Sequence, residues 1–283
     1  MTGRLYFLGV DTKASAVHRL FPHWAALCGV SGAELIGLDS PQGAPFEDIR
    51  KMVMTVGADE RAAGALVTTH KVAVWEAARD LFASIDPDAA RLGEVGCIVR
   101  REGRLRGVAI DHESSGIPLR RITGGLRWQR DVLIFGAGGA GRAIALHLAR
   151  RHSPSRLVVT DTSPERLEAT RSVVQVETAD AERNAVLLQS LGEGALVVNA
   201  TGLGKDRPGS PLPEAATFPE AAVAWDLNYR GDLRFLEQAR AQRVRTEDGW
   251  VYFVAGWITV MSHVYGFPLT EKLIERAMSA AGT

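Results

Sequence analysis

The sequence predicts a two-domain α/β protein, with an N-terminal α/β domain followed by a doubly wound parallel sheet. Its 283 residues suggest two domains, since a domain usually contains about 100–200 residues. Short apolar segments of strand length alternate with helical apolar spacing in two separate series. A glycine-rich turn stands where the second series begins.

The first series predicts strand–helix alternation, which favours an α/β sheet with some parallel pairing. The predicted strands cover residues 5–10, 33–38 and 64–69, and the predicted helices cover 15–28, 45–56 and 71–82. Residues 97–100 and 105–110 flank a turn-like Arg-Glu-Gly-Arg and predict a β-hairpin.

A group of helix-breaking residues between the two series of apolar segments marks the predicted domain boundary. Helix breakers occur at 114–118 and 124–125, and strands are then predicted at 132–135, 157–160, 196–199 and 223–226. The last stretch, 250–283, has helical character. We therefore predict a first domain of residues 1–115, completed by helices in 250–283, and a second domain of residues 116–249.

Charge and composition exclude several classes of protein. The chain has 33 basic residues (Lys and Arg) and 33 acidic residues (Asp and Glu), so the net charge is zero. The excess of basic residues that is typical of nucleic-acid-binding proteins is absent. The first residues, MTGRLYFLGVD, lack the basic-then-apolar pattern of a signal peptide, and no apolar run reaches the length needed to span a membrane, so we expect neither. The two cysteines, Cys28 and Cys97, have no metal or disulfide pattern and are expected to be buried thiols. We expect a cytoplasmic monomer or homodimer with a small-molecule substrate.

The glycine-rich turn lies between an apolar strand and an amphipathic helix. In Gly136-Ala137-Gly138-Gly139-Ala140-Gly141, the first glycine permits a tight turn, the second lets the backbone approach a pyrophosphate, and the third allows close helix–strand packing. The helix N-terminus adds partial positive charge and N–H donors for an anion. This arrangement predicts a Rossmann-type NAD(P)-binding domain.

Asp161 ends the next predicted strand, 20 positions beyond Gly141. This is the spacing expected of the carboxylate that binds the adenosine ribose hydroxyls, and an acid there favours NAD over NADP. Arg166 is the nearest group able to hold a 2′-phosphate, so NADP stays open. The alternative is a glycine turn without a ligand, with Asp161 as N-cap of the following helix.

Several segments together resemble the shikimate/quinate dehydrogenase family along nearly the whole chain. They are LVTTHK at 66–71, GEVGCIVR at 93–100, GVAID at 107–111, the glycine turn, NATGLG at 199–204, DLNY at 226–229 and EDG at 247–249. The resemblance implies that Lys71 is catalytic and pairs with Asp111. It also implies that residues 199–204 lie beside the nicotinamide and that Tyr229 lines the substrate pocket.

The resemblance and the motifs together give the candidate site. The catalytic pair is Lys71 and Asp111, and the substrate residues are Ser15, Thr69, His70 and Tyr229. The residues for NAD, or for NADP as the second choice, are Gly136, Ala137, Gly138, Gly139, Ala140, Gly141, Asp161, Asn199, Ala200, Thr201 and Gly202. No metal site is predicted.

The chain departs from the family pattern at three polar positions. Val17 replaces the second serine of Ser-x-Ser, Gly96 replaces the asparagine of G-A-V-N-T, and Gly256 replaces a glutamine of the C-terminal helix. His70 and His112 flank the predicted catalytic pair. We therefore expect a substrate other than standard shikimate.

Lys71 is the candidate for the proton transfer that accompanies hydride transfer from a secondary alcohol. Such a reaction needs a group that takes the hydroxyl proton and returns it in the reverse direction. Asp111 would orient the ammonium. A solvated lysine at a helix start and a capping aspartate are the simpler interpretations of the two residues.

The leading hypothesis is an NAD(P)-dependent oxidoreductase that acts on a small polyhydroxylated cyclic alcohol or ketone. Two alternatives remain. One is an enzyme similar to methylene-tetrahydrofolate dehydrogenase, which shares the two-domain plan and can use a lysine. The other is a catalytically silent NAD-binding sensor.

Overall fold

The computed structural model describes residues 3–205 and 207–281. The chain divides into two compact units, one formed by residues 1–110 with 254–283 and the other by residues 111–253. Each unit contains one six-stranded sheet. The predicted boundary at 115/116 lies just inside the second unit.

The first unit has a mixed sheet in the order β2-β1-β3-β5-β6-β4. Its strands are β1 (Arg4–Gly9), β2 (Glu34–Asp39), β3 (Ala62–Val67), β4 (Ser84–Ile85), β5 (Cys97–Arg101) and β6 (Arg104–Val108). Its first helices are α1 (Val17–Leu27), α2 (Phe46–Ala58), α3 (Lys71–Ala78) and α4 (Pro87–Leu92). Strand β1 is parallel to both β2 and β3, whereas β5 is antiparallel to β3 and β6, which forms the predicted hairpin.

The C-terminal helices contribute to the core of the first unit. They are α11 (Trp250–Tyr265), from Val254 onward, and α12 (Glu271–Ala281). The rings of Phe7 and Trp257 pack edge to face, with 5.0 Å between their centroids. The indole N–H of Trp24 donates to the carbonyl of Ala277 at 3.0 Å, which satisfies the polar atom of a fully buried tryptophan.

The second unit confirms the predicted Rossmann-type sheet. All its strands are parallel and lie in the order β12-β11-β10-β7-β8-β9. They are β7 (Val132–Phe135), β8 (Leu157–Asp161), β9 (Glu177–Asp180), β10 (Leu196–Asn199), β11 (Val223–Asp226) and β12 (Arg245–Glu247). The helices are α5 (Asp111–Ser114), α6 (Gly116–Thr123), α7 (Gly139–Arg151), α8 (Pro164–Val173), α9 (Asn184–Gln189) and α10 (Arg234–Ala241).

The strand order reverses between β7 and β10. In an open parallel sheet, ligands bind in the crevice outside the carboxyl ends of the strands at such a switch point. The polar and glycine-rich segments that follow β7 and β10 therefore flank the position where this architecture binds its ligands.

Most differences between prediction and structure are shifts of element ends. The first helix begins at Val17 rather than residue 15, and the helix from Lys71 ends at Ala78, before a short 3₁₀ turn. The predicted helical tail is two helices, because the chain turns at Gly266, whose φ is +79°. No helix in residues 3–205 and 207–281 combines the length and apolar character needed to cross a bilayer.

The packing of α7 on β7 gives a sharp test at two glycines. A Cβ at position 141 would lie 1.9 Å from the carbonyl oxygen of Gly136, whereas a Cβ at position 138 would meet no atom within 4 Å. We expect Gly141→Ala to lower the free energy of unfolding by more than about 2 kcal/mol, although alanine normally stabilises a helix interior. Gly138→Ala is the matched control and should change it by less than about 1 kcal/mol.

Urea denaturation of the two variants and the wild type measures both values. Equal stability of Gly141→Ala and Gly138→Ala would contradict the close helix–strand contact.

Candidate active site

The glycine turn joins β7 to α7 through close backbone contacts. Gly136 has φ +102°, a left-handed conformation that favours glycine. A Cβ at this position would also lie 2.7 Å from the carbonyl oxygen of Ala200. Gly138 is the N-cap of α7 and presents open space where a side chain would stand. The first-turn amides of α7 therefore have room for an anionic ligand.

Asp161 is anchored between the glycine turn and α8. Its Oδ2 accepts the amide of Ala137 at 2.8 Å, and its Oδ1 accepts the amide of Ser163 at 2.9 Å. Arg166 lies at 3.8 Å from Oδ1 with a largely exposed side chain. Ser163 is the N-cap of α8, so the alternative that Asp161 caps this helix is wrong.

The loop after β10 is fixed by the amide of Asn199, a fully buried residue. Its Oδ1 accepts the backbone amide of Thr201 at 3.1 Å and the Thr201 hydroxyl at 2.7 Å. Its Nδ2 donates to the carbonyl of Leu203 at 3.2 Å and to Oδ2 of Asp226 at 3.0 Å. Gly202, with φ +76°, supplies the turn. These bonds hold predicted cofactor residues Asn199, Ala200, Thr201 and Gly202 in one short loop.

Asp226 is the buried carboxyl that contacts this loop, a residue with no role predicted from the sequence. Its Oδ1 accepts the amide of Asn228 at 2.8 Å, and Asn228 Nδ2 donates to the carbonyl of Leu203 at 3.0 Å. Burial raises the pKa of Asp226 to about 6, although hydrogen bonds from Asn228 and Asn199 oppose the shift. An acid at the end of an all-apolar strand was the available sequence signal.

Tyr229 lies three residues beyond β11 in an aromatic cluster with Trp250 and Phe253. Its ring centroid is 5.3 Å from that of Trp250 and 4.6 Å from that of Phe253. The ring is half-buried. The structure therefore gives Tyr229 a packing role, and its contact with substrate stays a prediction.

Lys71 belongs to the first unit, as the first residue of α3. It is half-buried, and its carbonyl accepts the amide of Val95 at 3.0 Å. A Cβ at Gly96 would lie 3.6 Å from Lys71 Cε. The position that lacks the family asparagine is thus adjacent to the lysine stem.

The other predicted substrate residues of the first unit occupy different environments. Thr69 is exposed, and His70 is buried with Nε2 at 2.9 Å from the carbonyl of Ser40. Ser15 is half-buried ahead of α1, and its Oγ accepts the amide of Val17 at 3.4 Å. Val17 is fully buried, so its side chain is part of the core.

Asp111 belongs to the second unit, where it is the first residue of α5. It is only 3% exposed, and its carbonyl accepts the amide of Ser115 at 2.9 Å. The carbonyl of the next residue, His112, accepts a hydrogen bond from the α7 side chain His147 at 2.7 Å. The segment that bears Asp111 is therefore attached directly to the helix of the glycine turn.

The cysteines differ from the expectation in part. Cys97 is buried, but Cys28 is only half-buried, because it follows the last turn of α1. Burial raises the pKa of the Cys28 thiol to about 11. Within the described residues, no group of three or more His, Cys, Asp or Glu side chains could hold a metal ion.

The buried carboxyl of Asp226 predicts a pH-dependent contribution to stability. An unfolded aspartate has a pKa of about 3.9, against about 6 for Asp226 in the folded chain. Between these values the folded state binds more protons, so this contribution falls as the pH rises. We expect Asp226→Asn to remove the effect. The difference in unfolding free energy, variant minus wild type, should become more positive by about 2 kcal/mol from near pH 4.5 to near pH 7.5.

Denaturant unfolding of both proteins at the two pH values measures this difference. Asp180→Asn, at the exposed end of β9, is the matched control. A pH-independent difference for Asp226→Asn would show that the carboxyl is not destabilised by burial.

The comparison with known proteins gives a consistent family. Residues 132–204 match the saccharopine dehydrogenase NADP-binding domain. The chain is 36% identical over 167 residues to a shikimate dehydrogenase (NADP(+)) of Thermus thermophilus, an alignment that covers 58% of this chain and 59% of that protein. It is 33% identical over 211 residues to the Symbiobacterium thermophilum shikimate dehydrogenase (NADP(+)), which covers 69% of this chain and 68% of that protein.

A solved structure extends the similarity over the full length. The shikimate 5-dehydrogenase of Thermus thermophilus, in complex with NADP(H) and shikimate, superimposes with a TM-score of 0.74. The sequences are 26% identical, and the match covers 99% of this chain and all of that one. The chain therefore belongs to the shikimate dehydrogenase family of NAD(P)-dependent oxidoreductases.

Proposed function

We propose that this protein transfers a hydride between NAD(P) and a small polyhydroxylated cyclic alcohol or ketone. The observation that carries the proposal is the glycine turn at the switch point of a parallel sheet, with the anchored Asp161 and the Asn199 loop beside it. Family membership supplies the reaction class, and the side chains of this chain supply its details.

The residues of the second unit fit a dinucleotide. Gly138 leaves open space beside the first turn of α7, where a pyrophosphate can approach the amides. Bound NAD(P) accepts or returns the hydride. The loop of Asn199 and Thr201 would support the nicotinamide end, because its own hydrogen bonds already hold it in one conformation.

Lys71 and Asp111 are proposed as the acid–base pair. In the oxidative direction, Lys71 Nζ takes the hydroxyl proton while hydride leaves the carbinol carbon, and in reduction it returns that proton to the developing alkoxide. The Asp111 carboxylate orients the ammonium and stabilises its charge.

We propose a substrate other than standard shikimate. Val17 lies in the core, Gly96 has no side chain beside Lys71, and a Cβ at Gly256 would meet no atom within 4 Å. Three polar groups that the family pattern uses for recognition are thus absent. Fewer hydrogen-bond donors favour a ring with less acidic or differently placed substituents.

A substrate screen tests this proposal directly. Reduction of NAD and of NADP should be followed in parallel with shikimate, quinate, neutral cyclic polyols, keto acids and folates. Turnover of a cyclic polyol above that of shikimate supports the proposal. Turnover of folates alone would favour the methylene-tetrahydrofolate dehydrogenase alternative, and binding of NAD(P) without turnover would favour the sensor.

The acid–base pair predicts a strong and coupled loss of activity. We expect Lys71→Ala and Asp111→Asn each to lower kcat by about 10²–10⁴-fold, the usual contribution of a positioned acid or base. The double variant should be little worse than Lys71→Ala, since groups that act as a unit are not additive. Lys51→Ala, an exposed lysine of α2, is the matched control. Full turnover by Lys71→Ala would remove the proposed mechanism.

The environment of Asp161 predicts a preference for NAD. A carboxylate with both oxygens fixed by backbone amides would repel a 2′-phosphate and accept ribose hydroxyls. We expect wild type to have the higher kcat/KM with NAD, and Asp161→Asn to shift the NADP/NAD ratio of kcat/KM towards NADP by about tenfold.

Arg166→Ala tests whether Arg166 contributes to the use of NADP. If the 3.8 Å approach to Asp161 places Arg166 beside a 2′-phosphate, this variant lowers kcat/KM with NADP alone. A wild-type preference for NADP that Arg166→Ala abolishes would overturn the NAD assignment.

A further inference from the structure

His147 is a half-buried imidazole in the middle of α7 that the proposed reaction does not use. The residues around it in the helix, Ile144, Ala145, Leu146 and Leu148, are buried and apolar. Burial lowers its pKa to about 4, so the ring is neutral at physiological pH. The hydrogen bond that His147 forms explains why a polar side chain stands among these apolar residues.

The hydrogen bond of His147 identifies its tautomer and its target. Nδ1 lies 2.7 Å from the carbonyl oxygen of His112, and a carbonyl only accepts. Nδ1 therefore carries the proton and donates it. The target is the backbone one residue after Asp111, within the four-residue helix α5.

Close packing fixes the ring in this position. A Cβ at Gly116 would lie 2.7 Å from His147 Cε1, so any side chain at 116 would force the imidazole to shift. The α5 backbone is also held by the hydrogen bond from the Ser115 amide to the Asp111 carbonyl, at 2.9 Å. The peptide that bears Asp111 is held by its own helical turn and by His147.

We propose that His147 is a positioning residue, which fixes the backbone of α5 and so orients the Asp111 carboxylate. The inference rests on the proposed role of Asp111. Helix α7 would then serve both parts of the reaction. Its amino end would face the coenzyme phosphates, and its middle would hold the segment that bears Asp111, so one rigid helix would position both.

Two substitutions at His147 separate the donor from the ring. His147→Phe keeps an aromatic ring but cannot donate. His147→Asn replaces the ring but keeps an N–H the same number of bonds from Cα as Nδ1. We expect His147→Phe to lower kcat about tenfold, with KM for the dinucleotide within about twofold, because Asp111 is displaced rather than removed. His147→Asn should restore most of this loss.

His152→Phe is the matched control. Its ring lies 5.7 Å from that of His147, but its Nδ1 accepts the amide of Trp128 at 2.9 Å, away from α5. This variant should keep the kcat of wild type.

Hydrogen exchange gives a readout that needs no substrate. In His147→Phe the amide of Ser115 should exchange about tenfold faster than in wild type, because its acceptor lies in the released segment, while His147→Asn and His152→Phe should match wild type. Unchanged exchange in a folded His147→Phe overturns the inference, and so does an equal loss of kcat in His147→Phe and His147→Asn. Failure of the proposed function shows separately, as full turnover by Asp111→Asn.

Discussion

The contact between the backbone of α7 and the carbonyl of Gly136 determines where that helix begins. The absence of a side chain at Gly141 lets the helix lie against the strand end, since a Cβ there would stand 1.9 Å from the Gly136 oxygen. The position of the α7 amides, the anchoring of Asp161 through the Ala137 amide and the reach of His147 to α5 all follow from it. A small change of helix position would alter every one of these contacts.

The carboxyl ends of the central strands carry a second, polar layer. Asn199 and Asp226 end neighbouring parallel strands, in register with each other, and their side chains are hydrogen-bonded. Because both side chains are buried, the hydrogen bond between them gives a partner to polar atoms that water does not reach. The side chains of Asn199 and Asp226 therefore hold the loop that follows β10, and backbone amides of the loop donate to the same hydrogen-bond network. Such a preorganised loop loses little entropy when a ligand binds.

The sequence predicted the centre of the second sheet better than its edges. Strands β7, β10 and β11 were predicted with their observed ends, because each is fully buried and apolar, except for Asn199 and Asp226 at the ends of β10 and β11. The edge strands β9 and β12 were missed, because Glu177–Asp180 and Arg245–Glu247 are short and polar. Edge strands face solvent, so they lack the apolar pattern on which strand prediction depends.

The candidate site divides in the same way. The position of Asp161 at the end of a strand beside the glycine turn could be predicted, because it lies a fixed distance along the chain from that turn. The partners of Asp226 and His147 could not, since Asp226 contacts Asn199, 27 residues away, and His147 contacts His112, 35 residues away. The Asp161 contact also spans 24 residues, but a known strand–helix–strand motif fixes that spacing, whereas no such motif links the residues of the other two contacts.

The close approach of Gly116 and His147 also constrains how this protein can evolve. A Cβ at 116 would lie 2.7 Å from His147 Cε1, so a larger residue at 116 requires the imidazole to shift or to be replaced. The residues at 116 and 147 should therefore vary jointly across an alignment of relatives.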